Sequence, residues 1–215
     1  MTIRIDCRDG ANRERALSIA LSTARRGGLI VIPTESVYAI VTDAFNTRGT
    51  SCLREFKGLG GEVPLTVLVP QASTVTGITS RIPAMAQEFM EALWPGELTL
   101  LLDAGHTLTW DHPDSAPVAV RMPIHPLALA ILHATGPLAS TGANLPGERP
   151  ATTSLELNSL EVDEIAVILD AGDLSDNSDS ISTSTVVDCT VSPPRVVRPG
   201  ACDLDTLRSL IPEIA

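Results

Sequence analysis

Lysine is almost missing from this chain. Of its 15 basic residues, only Lys57 is not an arginine. The two side chains are not equivalent where a compact charge must be placed, so that one position draws attention. Cysteine is sparse and scattered: Cys7, Cys52, Cys189 and Cys202 form no CxxC pair. That spacing gives no support to a zinc site or a redox pair and is read as four free thiols. Excess positive charge is lacking too. With 26 acidic residues the net charge is −11, which argues against a broad phosphate-binding surface of the kind duplex binders use. A local basic pocket is still compatible with it, because the field in a cleft is set by local geometry. No apolar run reaches the length of a membrane span, and the first residues, Met1 to Asp6, lack the apolar core of a signal peptide. The expectation is a cytoplasmic protein with no membrane contact. Walker loop, GxGxxG, metalloprotease helix, nucleophile elbow and zinc finger are all absent. Glu35 and Asp43 are too few and too far apart to make a metal site, so no metal ligands are assigned.

What is present is a well-filled core. Hydrophobic residues are 44% and charged residues 19% of the 215, the balance of a globular chain with enough length to bury a sizeable interior. The most informative stretch is Leu29 to Ile40, LIVIPTESVYAI. Its first part reads as a strand buried on both faces and ended by Pro33, which cannot continue a ladder. Thr34, Glu35 and Ser36 are thereby delivered at a strand end, where sites on α/β sheets form. Taken alone, the stretch is better read as a plain strand–turn–strand whose hydroxyls satisfy their own turn.

Helices are predicted over residues 11–26, 47–56, from Pro83 to Leu93, 126–133 and 204–211. Strands are predicted at 29–33, 64–69, 98–102, 118–120, 137–141, 165–169, 185–188 and 195–197. With the second half of the opening stretch this makes about nine strands and five helices without an internal repeat. The expected class is α/β, one domain over residues 1–215, built on an open mixed parallel and antiparallel sheet with flanking helices. Residues 173–184 are polar and acidic and are expected to be mobile.

Hydroxyl residues recur just past strand ends: Thr34 and Ser36, Thr66, Ser140 and Thr141, Thr183 and Ser184. Cations recur in the same places: Lys57, Arg121 and Arg198. An arginine leaving a buried strand must meet an anion or water, and its planar fork suits phosphate or carboxylate. For either arginine alone, a surface salt bridge with one of the 26 acids is the better reading. Together with Lys57 they point to an anion pocket. His125, at a helix start, reads as structural.

Six ordered motifs then carry a resemblance: Pro33-Thr34-Glu35-Ser36-Val37-Tyr38, Lys57-Gly58-Leu59 with the strand from Pro64, Trp94-Pro95-Gly96-Glu97-Leu98-Thr99, Arg121-Met122-Pro123-Ile124-His125-Pro126, Ser140-Thr141-Gly142-Ala143-Asn144, and the closing Ser184-Thr185-Val186-Val187-Asp188 with Arg195 to Gly200. In these the chain resembles the YrdC/TsaC family of threonylcarbamoyl-AMP synthases over roughly residues 10–212. The resemblance implies a twisted sheet with a deep, positively charged cavity. It also implies a reaction in which L-threonine, bicarbonate and ATP, with Mg²⁺, give threonylcarbamoyl-AMP and pyrophosphate for modification of a tRNA adenosine next to the anticodon. Thr34, Thr66, Ser140 and Ser184 would hold threonine or its carbamate. Lys57, Arg121, Gly142, Asn144 and Arg198 would face the nucleotide, with Lys57, Asn144 and Arg121 serving catalysis. Partner proteins of tRNA modification are implied, and direct tRNA binding is left open at this net charge.

The chain departs from the family pattern where Leu59 replaces an arginine and Gly142 a serine, both of a set around the ATP. Ala39 also replaces a glycine. Two readings follow. One is an active synthase with a rearranged nucleotide site. The other is a weakened paralogue that binds a nucleotide or RNA. A different adenylate, as made by larger hydrogenase-maturation proteins, ranks behind both.

Overall fold

The computed structural model describes residues 1–61, 63–105, 110, 112–113, 116–174 and 183–215. Most of the segment expected to be mobile, residues 175–182, lies outside them. Among the described residues ten strands and five α-helices are formed: β1 (Ile3–Asp6), α1 (Arg13–Arg25), β2 (Leu29–Pro33), β3 (Tyr38–Asp43), α2 (Thr47–Lys57), β4 (Thr66–Leu68), α3 (Ala84–Leu93), β5 (Leu98–Leu102), β6 (Val118–Arg121), α4 (Pro126–Thr135), β7 (Leu138–Gly142), β8 (Ile165–Asp170), β9 (Thr185–Asp188), β10 (Arg195–Arg198) and α5 (Leu204–Leu210). Short 3₁₀ turns cover Ala72–Gly77 and Glu156–Leu160.

All ten strands join one sheet in the order β1-β8-β2-β3-β7-β4-β6-β5-β9-β10. The β1/β8, β2/β8, β4/β6 and β5/β9 pairs are parallel; the other five are antiparallel. Strand β1 is an addition to the expected set. Its burial pattern explains why: only Ile5 is buried, and Arg4 and Asp6 flank it.

The β2–β3 hairpin shows how the sequence pattern becomes a two-sided core. Side chains alternate across a strand. Leu29 and Val31 of β2, with Tyr38 and Ile40 of β3, enter the interior on one face. Ile30 and Ile32, with Ala39 and Val41, enter the other. Helices α1 and α4 close the second face through Ala16, Ala20, Ala24, Leu127, Ile131 and Leu132. Helices α2, α3 and α5 supply Leu53, Phe89, Met90 and Leu207 to the first. Small alanines along α1 let it lie close to the sheet. Full burial of one leucine or isoleucine contributes about 1.5–3 kcal/mol, so these layers dominate the stability of the fold.

Helix starts follow local chemistry. Asn46 caps α2 by accepting the Gly49 N–H at 3.1 Å, and Asp203 caps α5 by accepting from Thr206 N at 2.7 Å. Gly58 ends α2 in the left-handed region at φ 62°. That sharp exit turns the chain from Lys57 towards Leu59 and the mouth of the site.

Candidate functional site

A cavity of about 330 Å³ lies above the middle of the sheet. Its wall draws on the turn after β2 (Thr34, Ser36), on β3, on the approach to β4 (Leu59, Val63, Pro64, Thr66), on β5 (Thr99), on the ends of β6 (Arg121) and β7 (Ser140, Gly142), and on Ser184 and Arg198 flanking and ending β9 and β10. Strand ends therefore build the site, as the recurrence of hydroxyls there suggests.

The turn from Thr34 to Val37 is closed by Thr34 N–H donating to Val37 O at 3.0 Å, and the Thr34 hydroxyl donates to the same carbonyl. Pro33 pairs with Tyr38 across it. Ser36 donates to Glu97 at 2.9 Å. Glu35 accepts from Arg121 Nη2 and from the Ile124 N–H. Both members of that ion pair are largely buried, with side-chain exposures of 12% and 11%. It is therefore not a screened surface contact, and removing either partner would strand a charge. Arg121 Nε also donates to Gly96 O at 3.1 Å. The acid that sequence reading set aside as a metal candidate thus holds a cationic site residue.

Thr66 and Ser140 are register partners on β4 and β7, and the Ser140 hydroxyl donates to Thr66 O at 3.0 Å. At the far side, Arg198 wraps Ser184: Nη2 donates to its carbonyl at 2.8 Å and meets its hydroxyl at 3.0 Å, and Nε reaches the carbonyl at 3.2 Å. Thr99 and Ser184 hydroxyls lie 2.9 Å apart. Burial, with Arg121 as a nearby like charge, pushes the Arg198 pKa down from its ordinary value. Both guanidiniums line the cavity, and like charges there favour an anion. Gly200 makes this packing feasible: a Cβ there would sit 2.1 Å from Thr183 O and 2.6 Å from Thr185 N.

Lys57 and Asn144 are placed differently from the two arginines. The Lys57 ammonium donates to Gly142 O at 3.2 Å and Asn144 O at 3.0 Å, and burial lowers its pKa. The Asn144 amide donates to Leu145 O at 2.8 Å and Glu148 O at 3.0 Å. Asn144 lines a second hollow with Glu148 and Arg149, and neither it nor Lys57 is among the residues lining the main cavity. Gly142 does line it, and a Cβ on Gly142 would lie 2.8 Å from Pro150 Cγ.

Tyr38 lines the cavity and is packed in the core. Its hydroxyl donates to Gly172 O at 2.6 Å and accepts from Ala171 N at 3.0 Å, and burial and Asp170 push its pKa well up. Asp170 accepts from Ser154 Oγ at 2.6 Å, from Gly172 N at 2.9 Å and from Arg4 at 2.8 Å. Burial works against its charge, yet these donors hold its pKa below the usual aspartate range. His125 Nδ1 accepts the Leu127 N–H at 3.2 Å and caps α4. Burial lowers its pKa, with Glu35 opposing.

Thr99, Glu35 and Pro150 were given no site role from the sequence. Thr99 closes the Trp94–Thr99 motif, and a hydroxyl between Leu98 and Leu100 on a buried strand was a further signal for it. The described residues hold no group of three or more His, Cys, Asp or Glu side chains able to hold a metal ion. No helix among them is long and apolar enough to cross a membrane.

The chain has relatives among known proteins. A Mycobacterium tuberculosis protein given the name threonylcarbamoyl-AMP synthase provisionally is 36% identical over 212 residues, covering 98% of this chain and 96% of its own length. Threonylcarbamoyl-AMP synthase of Bacillus subtilis is 32% identical over 203 residues, which is 89% of this chain but 55% of that protein. The crystal structure of Pyrococcus abyssi Sua5 complexed with L-threonine superposes over all of this chain and 62% of its own, with a TM-score of 0.87 at 28% identity. The chain thus spans nearly the whole of the first relative and little more than half of the other two. The Sua5/YciO/YrdC family model, described as telomere recombination, matches residues 22–200. With that match, and with relatives at 30% identity or more over most of its length, the chain belongs to the Sua5/YciO/YrdC family.

Proposed function

We propose that the chain makes threonylcarbamoyl-AMP and pyrophosphate from L-threonine, bicarbonate and ATP, supplying the modification of tRNA adenosine. The observation that carries this is the juxtaposition of Arg121 and Arg198 with four hydroxyl residues, Thr34, Thr66, Ser140 and Ser184, around one cavity, in a chain whose relatives bear that activity's name.

The chemistry suits those groups. Threonine carbamate and the α-phosphate of ATP are both anions. In a cleft poor in water their repulsion is several-fold larger than in bulk. Arg198 and Arg121 offset it and receive the charge that develops on the phosphate oxygens. Thr34, Thr66, Ser140 and Ser184 position the threonine part through hydroxyl hydrogen bonds. The carbamate is itself nucleophilic, so positioning rather than a general base lowers the barrier. Lys57 holds the carbonyls of Gly142 and Asn144, and the Asn144 amide holds the following turn through Leu145 and Glu148, beside the nucleotide. Mg²⁺ would accompany ATP as part of the substrate and would offset charge on its phosphates.

Pyrophosphate release from ATP that depends on both threonine and bicarbonate is the expected result. Release equal to the threonine-free background would sink the reading. A second reading, a paralogue that binds nucleotide without turnover, is favoured by Leu59 and Gly142. Micromolar ATP binding with no turnover would select it.

A further inference from the structure

Of the three cations at or beside the cavity, one alone is given an acid. Lys57 donates to the Gly142 and Asn144 carbonyls, and Arg198 to the carbonyl and hydroxyl of Ser184. Neither forms an ion pair with any described residue, whereas Arg121 is paired with Glu35. Burying two charges costs desolvation that their attraction barely repays, so stability does not account for the acid. Its geometry is that of a brace. Glu35 sits in the β2–β3 turn and uses both oxygens: Oε2 accepts from Arg121 Nη2 and Oε1 from the Ile124 N–H. The carboxylate cannot swing off the guanidinium without giving up that N–H. On its other edge Arg121 donates from Nε to Gly96 O at 3.1 Å, and Gly96 N donates to Met122 O at 2.9 Å. The turn and the Gly96 segment are themselves tied, since Ser36 donates to Glu97 at 2.9 Å. Nη1 of Arg121 is left with no hydrogen bond to a described residue, in a residue that lines the cavity.

We propose that Glu35 is a positioning residue for the reaction: it fixes the guanidinium of Arg121 at the cavity and balances its charge, so that Arg121 serves as an aimed hydrogen-bond donor and does not trap inorganic anions. The inference rests on the reaction proposed above. Donors fixed in advance need not reorganise as charge develops on the substrate, and a side chain held at both edges has little freedom left to lose on binding. An unbalanced guanidinium in so dry a place would hold any small anion tightly, and the substrates would have to displace it. Lys57 and Arg198 carry no such counter-charge. They bring net charge to the ligand, and Arg121 brings direction.

The test compares Glu35→Gln, which keeps the size and removes the charge, with Glu35→Asp, which keeps the charge and shortens the reach. Threonine-dependent pyrophosphate release is measured with and without sodium sulfate. In Glu35→Gln kcat should fall roughly tenfold or more, and the sulfate inhibition constant should also fall roughly tenfold, because one buried positive charge is left unbalanced. In Glu35→Asp kcat should fall about as far, with the sulfate constant within about threefold of native. A smaller folded fraction lowers kcat but leaves an inhibition constant where it was, so the sulfate result separates positioning from structural support. A native-like kcat in either variant, an unchanged sulfate constant in Glu35→Gln, or tighter sulfate inhibition in Glu35→Asp overturns the inference and leaves the reaction reading intact. Should Glu35→Gln lack a cooperative melt, Glu35→Asp decides alone; two variants without a cooperative melt assign Glu35 to the fold and overturn the inference too. A native chain with no threonine-dependent release overturns the reaction reading and this inference with it.

Discussion

Two glycines mark the two ends of the cavity, and they tolerate change differently. At Gly200 an added Cβ would meet main-chain atoms of Thr183, Ser184 and Thr185. At Gly142 it would meet the ring of Pro150 and the side-chain oxygen of Asn144. One end is closed by backbone against backbone, the other by a choice of side chains. The difference teaches that the Ser184–Arg198 end is part of the fold, whereas the Gly142–Pro150 end is a variable setting on the same frame. A side-chain neighbour can be exchanged; a strand cannot be moved without losing its ladder.

The sharpest way to break this contrast is Gly200→Ala. It should destabilise the protein by about 3 kcal/mol, at the upper end of overpacking costs, read as a lower urea midpoint. A loss below 1 kcal/mol would show that the β9–β10 end yields as easily as the other. Next comes Arg198→Met, which should reduce threonine-dependent pyrophosphate release roughly a hundredfold, as expected for removal of a charged donor in a dry site. The melting temperature should change far less than in the glycine variant.

Asp170→Asn tests the frame outside the cavity. It weakens the hold on Arg4, Ser154 and Gly172 and should cost about 2 kcal/mol. It also carries a pH signature. The folded pKa of Asp170 is lowered, so its stabilisation is complete above the ordinary aspartate value of 3.8 and is lost as pH falls through the lower folded value. The variant should show a shallower acid-side fall in urea midpoint than the native chain. The smallest effect is Gly142→Ala, about 1 kcal/mol, and it should vanish in a Pro150→Ala background. A double-mutant cycle with no coupling would mean that the proline ring does not set residue 142.

Much of the frame was legible in the sequence. The run Leu29 to Pro33 has apolar side chains for both faces, and both faces are filled. Asn46, Gly58 and Asp203 announce helix ends by local chemistry that needs no distant partner. Strand β1 was not legible, because a four-residue strand with one buried side chain carries no period to read. At the site, strand-end logic found Thr34, Thr66, Ser140, Ser184, Arg121 and Arg198, all of which line the cavity. What it could not see is how those groups are already spent. Glu35 meets Arg121 across 86 residues, and Thr99 meets Ser184 across 85. Pairings of that span follow from strand order, which no local pattern contains. The placement of Lys57 against two carbonyls is of the same kind, since its partners sit 85 and 87 residues away.

The chain has one tyrosine, a residue that lines the cavity and whose phenol is bonded to the Ala171–Gly172 backbone. Ultraviolet absorbance of the phenolate during an alkaline titration therefore follows a single chromophore at a single junction, without any label. Disturbing that junction brings ionisation back towards the ordinary phenol range, which makes the native protein its own optical gauge of the ground beneath the ligand.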